Sequence, residues 1–413
     1  MRLKDVTEFC PAYTGAARND AVAFVPMEAL RYDSIAQQEI PFEEARGKYT
    51  FFADGDLLFA KVTPCFENGN IAVANNLKGG IGFGSSEIFV LRAKPGLNNR
   101  YLFYVVQASP FMDGGCATMC GVGGLKRMSP LFPRTFEWEI PSEESQRKIV
   151  AYLDEKSAAI DGRVVVLEKK LSAYKRLKTS IINRAVTRGL DPKAKLKDSG
   201  VDWIGKVPAG WEVGRFKDIA SVKANLVAPD GYMDYPQIAP ENIEKGTGKL
   251  LVYGTVSESG IISGNHLFKK GQIIYSKIRP ILNKLVVADF DGLCSADMYP
   301  IDVLGNLRFV FYQMLSPLFV NQVAAIVGMR VKMPKINQEE LSAIGMVIPP
   351  ISEQIAIADY LDAECTKIDK MAELVTREIE LYKKLKRSLI NEVVTGKRPV
   401  FADKPLRRGK EVA

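Results

Sequence analysis

The stretch PSEESQRKIVAYLDEKSAAID, from Pro141 to Asp161, returns 208 positions later as PPISEQIAIADYLDAECTKID, from Pro349 to Asp369. A repeat at fixed spacing constrains a fold more than any composition, because each copy must find the same kind of environment. Aligned without a gap, Ile140–Thr187 and Ile348–Thr395 are identical at 18 of 48 positions. The agreement is concentrated in short phrases: YLD at 152–154 and 360–362, ID at 160–161 and 368–369, YK.LK.S from Tyr174 and from Tyr382, and VT at 186–187 and 394–395.

Both copies are predicted to be long helices. Each follows a proline suited to a first helical turn, neither contains an internal proline, and Gly162 is the one weak point of the first. The apolar positions Leu153, Ile160, Val164, Leu167, Leu171, Tyr174 and Ile181 step by three, four and seven. So do Leu361, Ile368, Ala372, Val375, Ile379, Tyr382, Leu385 and Leu389. Such a narrow stripe marks a helix–helix seam. About 45 helical residues span roughly 65 Å, and the simplest cover for one stripe is the other copy. The shared polar pairs Asp154/Asp362 and Asn183/Asn391 argue against two unrelated core helices.

The segments ahead of the helices also match. RLKDV (2–6) parallels RFKDI (215–219), GDLLFAKVTP (55–64) parallels GQIIYSKIRP (271–280), and LFYVVQASPFM (102–112) parallels VFYQMLSPLFV (310–320). A Gly-plus-basic loop follows each, GVGGLKRM at 121–128 and GMRVKMP at 328–334. The expected order is a first domain at 1–139, a long helix at 140–188, a joint at 189–211, a second domain at 212–347, a second long helix at 348–396 and a basic tail at 397–413. The runs LLFAKV, IFVLRA, QIIYSKI and LVVADF are apolar, β-branched and aromatic and end at Gly, Pro or Asp, so they are predicted strands. The tail KRPVFADKPLRRGKEVA, with six basic and two acidic residues, is expected to be mobile.

At 413 residues the chain is too long for one core. No apolar run reaches membrane-span length and no signal-peptide core opens it, so a cytoplasmic, membrane-free location is expected, with the six cysteines reduced. A net charge of +8 permits a polyanionic partner. No catalytic set is legible. The lone histidine, His266, excludes histidine-pair chemistry, and Cys116 with Cys120 lacks a second ligand pair for zinc. GDLLFAK is no phosphate loop and IGFGSSE lacks the dinucleotide pattern. The NPPY-like element of amino-methyltransferases is absent from the sequence.

The two P…Q…YLD…ID phrases and the joint VTRGLDPKAKLKDSGVDWIGKVPAGWEV make the chain resemble, over nearly its whole length, the specificity subunits of Type I restriction-modification systems. The resemblance implies an α+β fold: two similar target-recognition domains separated by two long helices that pair as an antiparallel coiled coil with pseudo-two-fold symmetry. It implies a non-catalytic subunit that reads a bipartite, asymmetric DNA site, with the helices setting the spacing and docking the methyltransferase subunits. The implied partners are double-stranded DNA and two copies of a modification subunit, and there is room for a restriction subunit (an ATP-dependent translocase/nuclease). No cofactor is expected on this chain, and S-adenosylmethionine is expected on the partner methyltransferase. The family often carries a W…G.IP..W lead-in, whereas this sequence opens at MRLKDV, so the first domain is expected to lack an N-terminal strap.

Candidate DNA contacts are Lys126 and Arg127 in the first Gly-plus-basic loop, Arg330, Lys332 and Lys335 in the second, and the strand-end residues Lys61, Lys277 and Arg279. Arginine and lysine pair with guanine edges or bind phosphate, and their recurrence at matched places sets them apart from scattered surface charge. Ser85, Ser86 and Ser295 are also matched but suit strand starts. The clusters YKRLK (174–178) and YKKLKR (382–387) are expected to form a solvated face beside the seam in preference to a phosphate track. Two rivals remain open: an interaction scaffold that binds protein, and a nuclease or methyltransferase acting alone.

Overall fold

The computed structural model describes residues 1–15, 20–121, 124–330 and 332–400. It divides into two compact units. Unit 1 comprises Met1–Leu167 with the segment from Arg377 onward, and unit 2 is Glu168–Thr376. Two long helices, α1 (Glu143–Arg188) and α2 (Ile351–Val394), each contribute residues to both units, and α1 runs unbroken through Gly162.

Each unit has the same layers. In unit 1 the strands Thr7–Phe9, Ile88–Ala93, Leu57–Ala60 and Ile71–Val73 lie side by side in that order, every pair antiparallel. In unit 2 the order is Ala220–Val222, Met298–Val303, Ile273–Ser276 and Leu285–Val287, again antiparallel. The central strands are buried at every residue, Leu57–Ala60 and Ile273–Ser276 alike, because both of their faces are covered. Leu58 and Val90 pack on Ala23, Val25 and Phe52 of a second sheet, while Phe59 meets Phe111 of the helix Ser109–Ala117. In unit 2, Ile274 packs with Ile238 and Phe268, and Tyr275 meets Phe319 of the helix Pro317–Val327. Each fully buried aromatic or aliphatic side chain contributes about 1.5–3 kcal/mol, which explains why these runs are continuous rather than alternating.

The repeated phrases turn out to be contact instructions. The YLD aspartate joins helix to domain: Asp154 accepts from Arg100 Nε at 2.8 Å and from the Tyr104 hydroxyl at 2.5 Å. In unit 2, Asp362 accepts from Arg308 and, at 2.7 Å, from the Tyr312 hydroxyl. Burial and then the aspartate hydrogen bond hold both phenols well above their usual range, so both remain proton donors. The repeated glutamine is a second joint. Gln146 Oε1 accepts from the Asn98 amide at 2.8 Å, and Gln354 Oε1 accepts from the Asn306 amide at 2.9 Å. Asn98 and Asn306 in turn cap the helices Asn99–Val105 and Leu307–Leu315.

The ID and YK.LK phrases explain each other. In unit 1, Lys386 of α2 donates to both carboxylate oxygens of Asp161 of α1, at 2.8 and 2.6 Å, and lies 4.1 Å from the centre of the Tyr32 ring. In unit 2 the roles are crossed: Lys178 of α1 donates to Asp369 of α2, 2.8 Å to each oxygen. Within unit 1 Arg163 reaches Glu378 at 3.1 Å while Asp161 meets Lys386, so the helix segments run antiparallel. Within unit 2, Lys178 meets Asp369 while Gly189 and Glu353 both meet Trp211, the same antiparallel sense.

The seam differs from the expected stripe at one point. Leu385 is 49% exposed, because its neighbour Lys386 turns inward to Asp161 and Tyr32. The YK.LK clusters are likewise not simply a solvated face, since their last lysine is a seam residue in both copies. Lys386→Asp, which would set two carboxylates together at a site where the lysine side chain is 11% exposed, is expected to destabilise the chain by on the order of 2 kcal/mol. Adding Asp161→Lys should recover about half of that in thermal or urea unfolding, the remainder being the lost contact with Tyr32. A double variant no more stable than the single one would show that the pair does not hold the register.

Among the described residues no single helix is long and apolar enough to cross a membrane. The bent pair Leu307–Leu315 and Pro317–Val327 has the composition, but Phe309, Met314, Phe319 and Val323 are in the core of unit 2.

Candidate nucleic-acid interface

The basic loops are tied to the strand ends by backbone. In unit 1, Val62 bridges Arg127, the Met128 amide donates to the Lys61 carbonyl at 2.8 Å, and the Thr63 amide donates to the Lys126 carbonyl at 2.9 Å. The Thr63 hydroxyl adds a bond to the Gly124 carbonyl at 2.9 Å. In unit 2, Ile278 bridges Lys335, the Ile336 amide donates to the Lys277 carbonyl at 3.0 Å, and the Arg279 amide donates to the Pro334 carbonyl at 2.8 Å. Lys61, Lys126 and Arg127 thus come together in unit 1, and Lys277, Arg279, Arg330 and Lys335 in unit 2, with Lys332 exposed on the same loop. Val122, Gly123 and Val331 of these loops lie outside the described residues.

The side chains repeat as closely as the backbone. The Lys61 ammonium sits 5.3 Å from the Phe89 ring centre and the Lys277 ammonium 5.2 Å from that of Tyr299, a cation–π placement that holds a flexible side chain in one direction. Arg127 forks onto Glu87, with its closest contact at 2.9 Å, and Lys335 pairs with Asp297 at 3.1 Å. Arg330 pairs with Glu340. Ser85 and Ser295 shape the turns that present these carboxylates, each hydroxyl accepting from the amide two residues on, at 3.2 Å. Three of the eight predicted contacts are therefore already held by carboxylates, whereas Lys126 and Lys332 are exposed. Two exposed apolar residues stand at matched loop positions, Leu125 at 56% and Met333 at 52%.

Glu87, Asp297, Glu340, Phe89 and Tyr299 were missed in the sequence. The signal was present: Glu87 and Phe89 match Asp297 and Tyr299 at a constant offset. His266 lies in the strand Asn265–Phe268, buried, and its pKa is lowered by burial and then by Lys277, so it stays neutral in that strand. Among the described residues no three histidine, cysteine, aspartate or glutamate side chains group as metal ligands.

Residues 208–380 match the family described as Type I restriction modification DNA specificity domain. The EcoDI specificity subunit of Escherichia coli, a Type I restriction enzyme subunit, is 32% identical over 272 residues, covering 62% of this chain and 61% of that protein. Over the matched stretches the chain is similar to Type I restriction specificity subunits. It spans about three fifths of the length of that curated relative. The EcoEI specificity subunit of Escherichia coli is 33% identical over a shorter stretch of 154 residues, 36% of this chain and 26% of that protein. A solved structure described as "Structural basis underlying complex assembly and conformational transition of the type I R-M system" matches the fold with a TM-score of 0.71 at 15% identity, over 95% of this chain and 96% of that one. The fold of two similar mixed domains and two long helices is thus common to both.

A second set of exposed residues recurs on the two long helices. Val166 and Leu177 of α1 match Leu374 and Leu385 of α2, and they are 55%, 46%, 64% and 49% exposed. Val165 and Leu381 of unit 1 and Met371 of unit 2 extend these apolar faces. Leucine and valine therefore stand half in water at repeated places on both helices.

Proposed function

We propose that this chain is the DNA-reading subunit of a Type I restriction-modification complex, acting in the cytoplasm, each unit reading one half of a bipartite, asymmetric site. The observation that carries the reading is the repeated patch: a ring-supported lysine, a backbone-anchored Gly-plus-basic loop and a carboxylate clamp, in both units. The clamps order the arginine and lysine side chains before DNA arrives, which lowers the entropy lost on binding. Exposed Lys126 and Lys332 suit phosphate, and Leu125 and Met333 suit thymine methyl groups or the groove floor. Because the residues around the two patches differ, the half-sites differ. The chain itself is non-catalytic. Methyl transfer, with S-adenosylmethionine, and cleavage belong to partners.

Duplex binding tests this. Affinity should fall steeply with salt. Lys126→Ala with Lys332→Ala should weaken binding alike for all sequences and make the slope of log affinity against log salt shallower by about 2. Salt-independent binding, or none, would instead favour an interaction scaffold.

The repeated apolar faces are the docking sites for two copies of the modification subunit. Leu385→Lys should lower the stoichiometry from two copies to one, and adding Leu177→Lys should abolish docking, as read by the mass of the reconstituted complex. A wild-type complex holding one copy would overturn this part of the reading.

A further inference from the structure

The last turns of α1 carry charges that the matching turns of α2 reverse. In unit 2, Leu177, Ser180, Arg184 and Arg188 follow one another by three and four residues, so they share one face of α1. Beyond Leu177 this face borders a cleft of about 400 Å³, with Asn183, Arg184 and Arg188 in the helix wall and Asp191, Pro192 and Leu196 in the joint wall. Both arginines are exposed, and neither has a carboxylate partner among the described residues. Asp191 already accepts from the Lys193 amide at 2.8 Å. Asn183 is repeated as Asn391, which in unit 1 accepts from the Ser109 amide at 3.0 Å. In unit 2 the residue matching Ser109 is Pro317, which has no amide hydrogen to give, so Asn183 is released to line the cleft.

The matching face of α2 in unit 1 is Leu385, Ser388, Glu392 and Gly396. It keeps the leucine and the serine and replaces the two arginines by a glutamate and a glycine. That glutamate is engaged, since Glu392 accepts from the Ser388 hydroxyl at 2.9 Å and lies 3.9 Å from Arg398. Two free guanidinium forks suit carboxylates. The half-exposed Leu196 in the opposite wall has no counterpart on a phosphate backbone, and the C-terminal end of a helix weakens the field for a polyanion. The cleft therefore fits an acidic, partly apolar peptide better than a duplex. We propose that it takes an acidic segment of the modification subunit docked on unit 2, with carboxylates on Arg184 and Arg188 and an apolar side chain against Pro192 and Leu196. The proposal rests on the docking reading above, because the cleft continues the face of Leu177. The two docking places then differ: the one on unit 2 has a receptor for carboxylates, and at the matching positions the one on unit 1 has none.

Titration of the purified modification subunit into the full chain carrying Leu385→Lys, which is expected to keep the copy on unit 2, tests this. Adding Arg184→Glu with Arg188→Glu should weaken that binding by about ten-fold or more at low salt and flatten its dependence on salt. An unchanged melting temperature shows that the fold survives, as expected for two exposed side chains. Arg184→Lys with Arg188→Lys, which keeps the charges, should retain most of the affinity. Equal affinity of the charge-reversed and parent chains would overturn this proposal alone. Weakened duplex binding with docking intact would also overturn it, assigning the cleft to phosphate. No copy bound to the Leu385→Lys chain would overturn the docking reading and this proposal with it.

Discussion

Replacing residues 1–139 with the matching domain of a relative should change one half of the recognised site completely and leave the other half unaltered. Lys61, Lys126, Arg127 and the clamp Glu87 all lie within the exchanged segment, and every anchor they use is within it too. The contacts that cross to α1 include Arg100 and Tyr104 to Asp154, the Asn98 amide to Gln146, and Gln146 Nε2 to the Gly96 carbonyl. The crossing to α2 includes the Ser109 amide donating to Asn391 at 3.0 Å. A donor domain with asparagine, arginine and tyrosine at the positions of Asn98, Arg100 and Tyr104 should therefore seat on the native helices. Unit 2 repeats these joints with Arg308, Tyr312 and Asn306 on its own residues, so its patch has no reason to change. Methylation mapping of the exchanged complex reads both halves at once. If both halves changed together, the two patches would not be independent readers.

The repeat makes much of this architecture legible in the amino-acid sequence. Phrases kept at a constant spacing point to two helices and two like domains, and the strands LLFAKV, IFVLRA, QIIYSKI and LVVADF are all found. The purpose of each phrase is not legible there, because its partner is distant in sequence. Asp161 meets a lysine 225 residues away, and Lys178 an aspartate 191 residues away. A stripe drawn from hydrophobicity alone places Leu385 in the seam and leaves Lys386 outside; the ion pair and the Tyr32 ring reverse that choice. The candidate contacts stand out by charge, and charge alone does not show which are already engaged. Glu87 lies 40 residues from Arg127 and Asp297 lies 38 from Lys335, separations at which local pattern carries no pairing signal.

Insertion of one heptad into both helices should lengthen the unspecified gap between half-sites without altering either half. The insertions belong between Leu167 and Leu171 and between Val375 and Ile379. These points lie between Asp161 and Lys178 in α1 and between Asp369 and Lys386 in α2, so both ion pairs, each within its own unit, are kept. Seven residues keep the seam in phase and add roughly 10 Å of helix, about three base-pair steps. DNA bending can absorb part of the change at modest elastic cost, so the growth is at most about three. An insertion into one helix alone would leave the pairs out of register and should cost folding. An assembled, active double insertion with an unchanged gap would leave the helices as docking surfaces only.

Mapping of methylated bases across the host genome, with and without this gene, most directly tests whether the chain reads DNA as two different half-sites. The expected result is one bipartite motif, two unlike specified parts flanking a gap of fixed length, methylated when the gene is present and lost without it. A single uninterrupted motif, two identical halves, or a methylation pattern indifferent to the gene would contradict it.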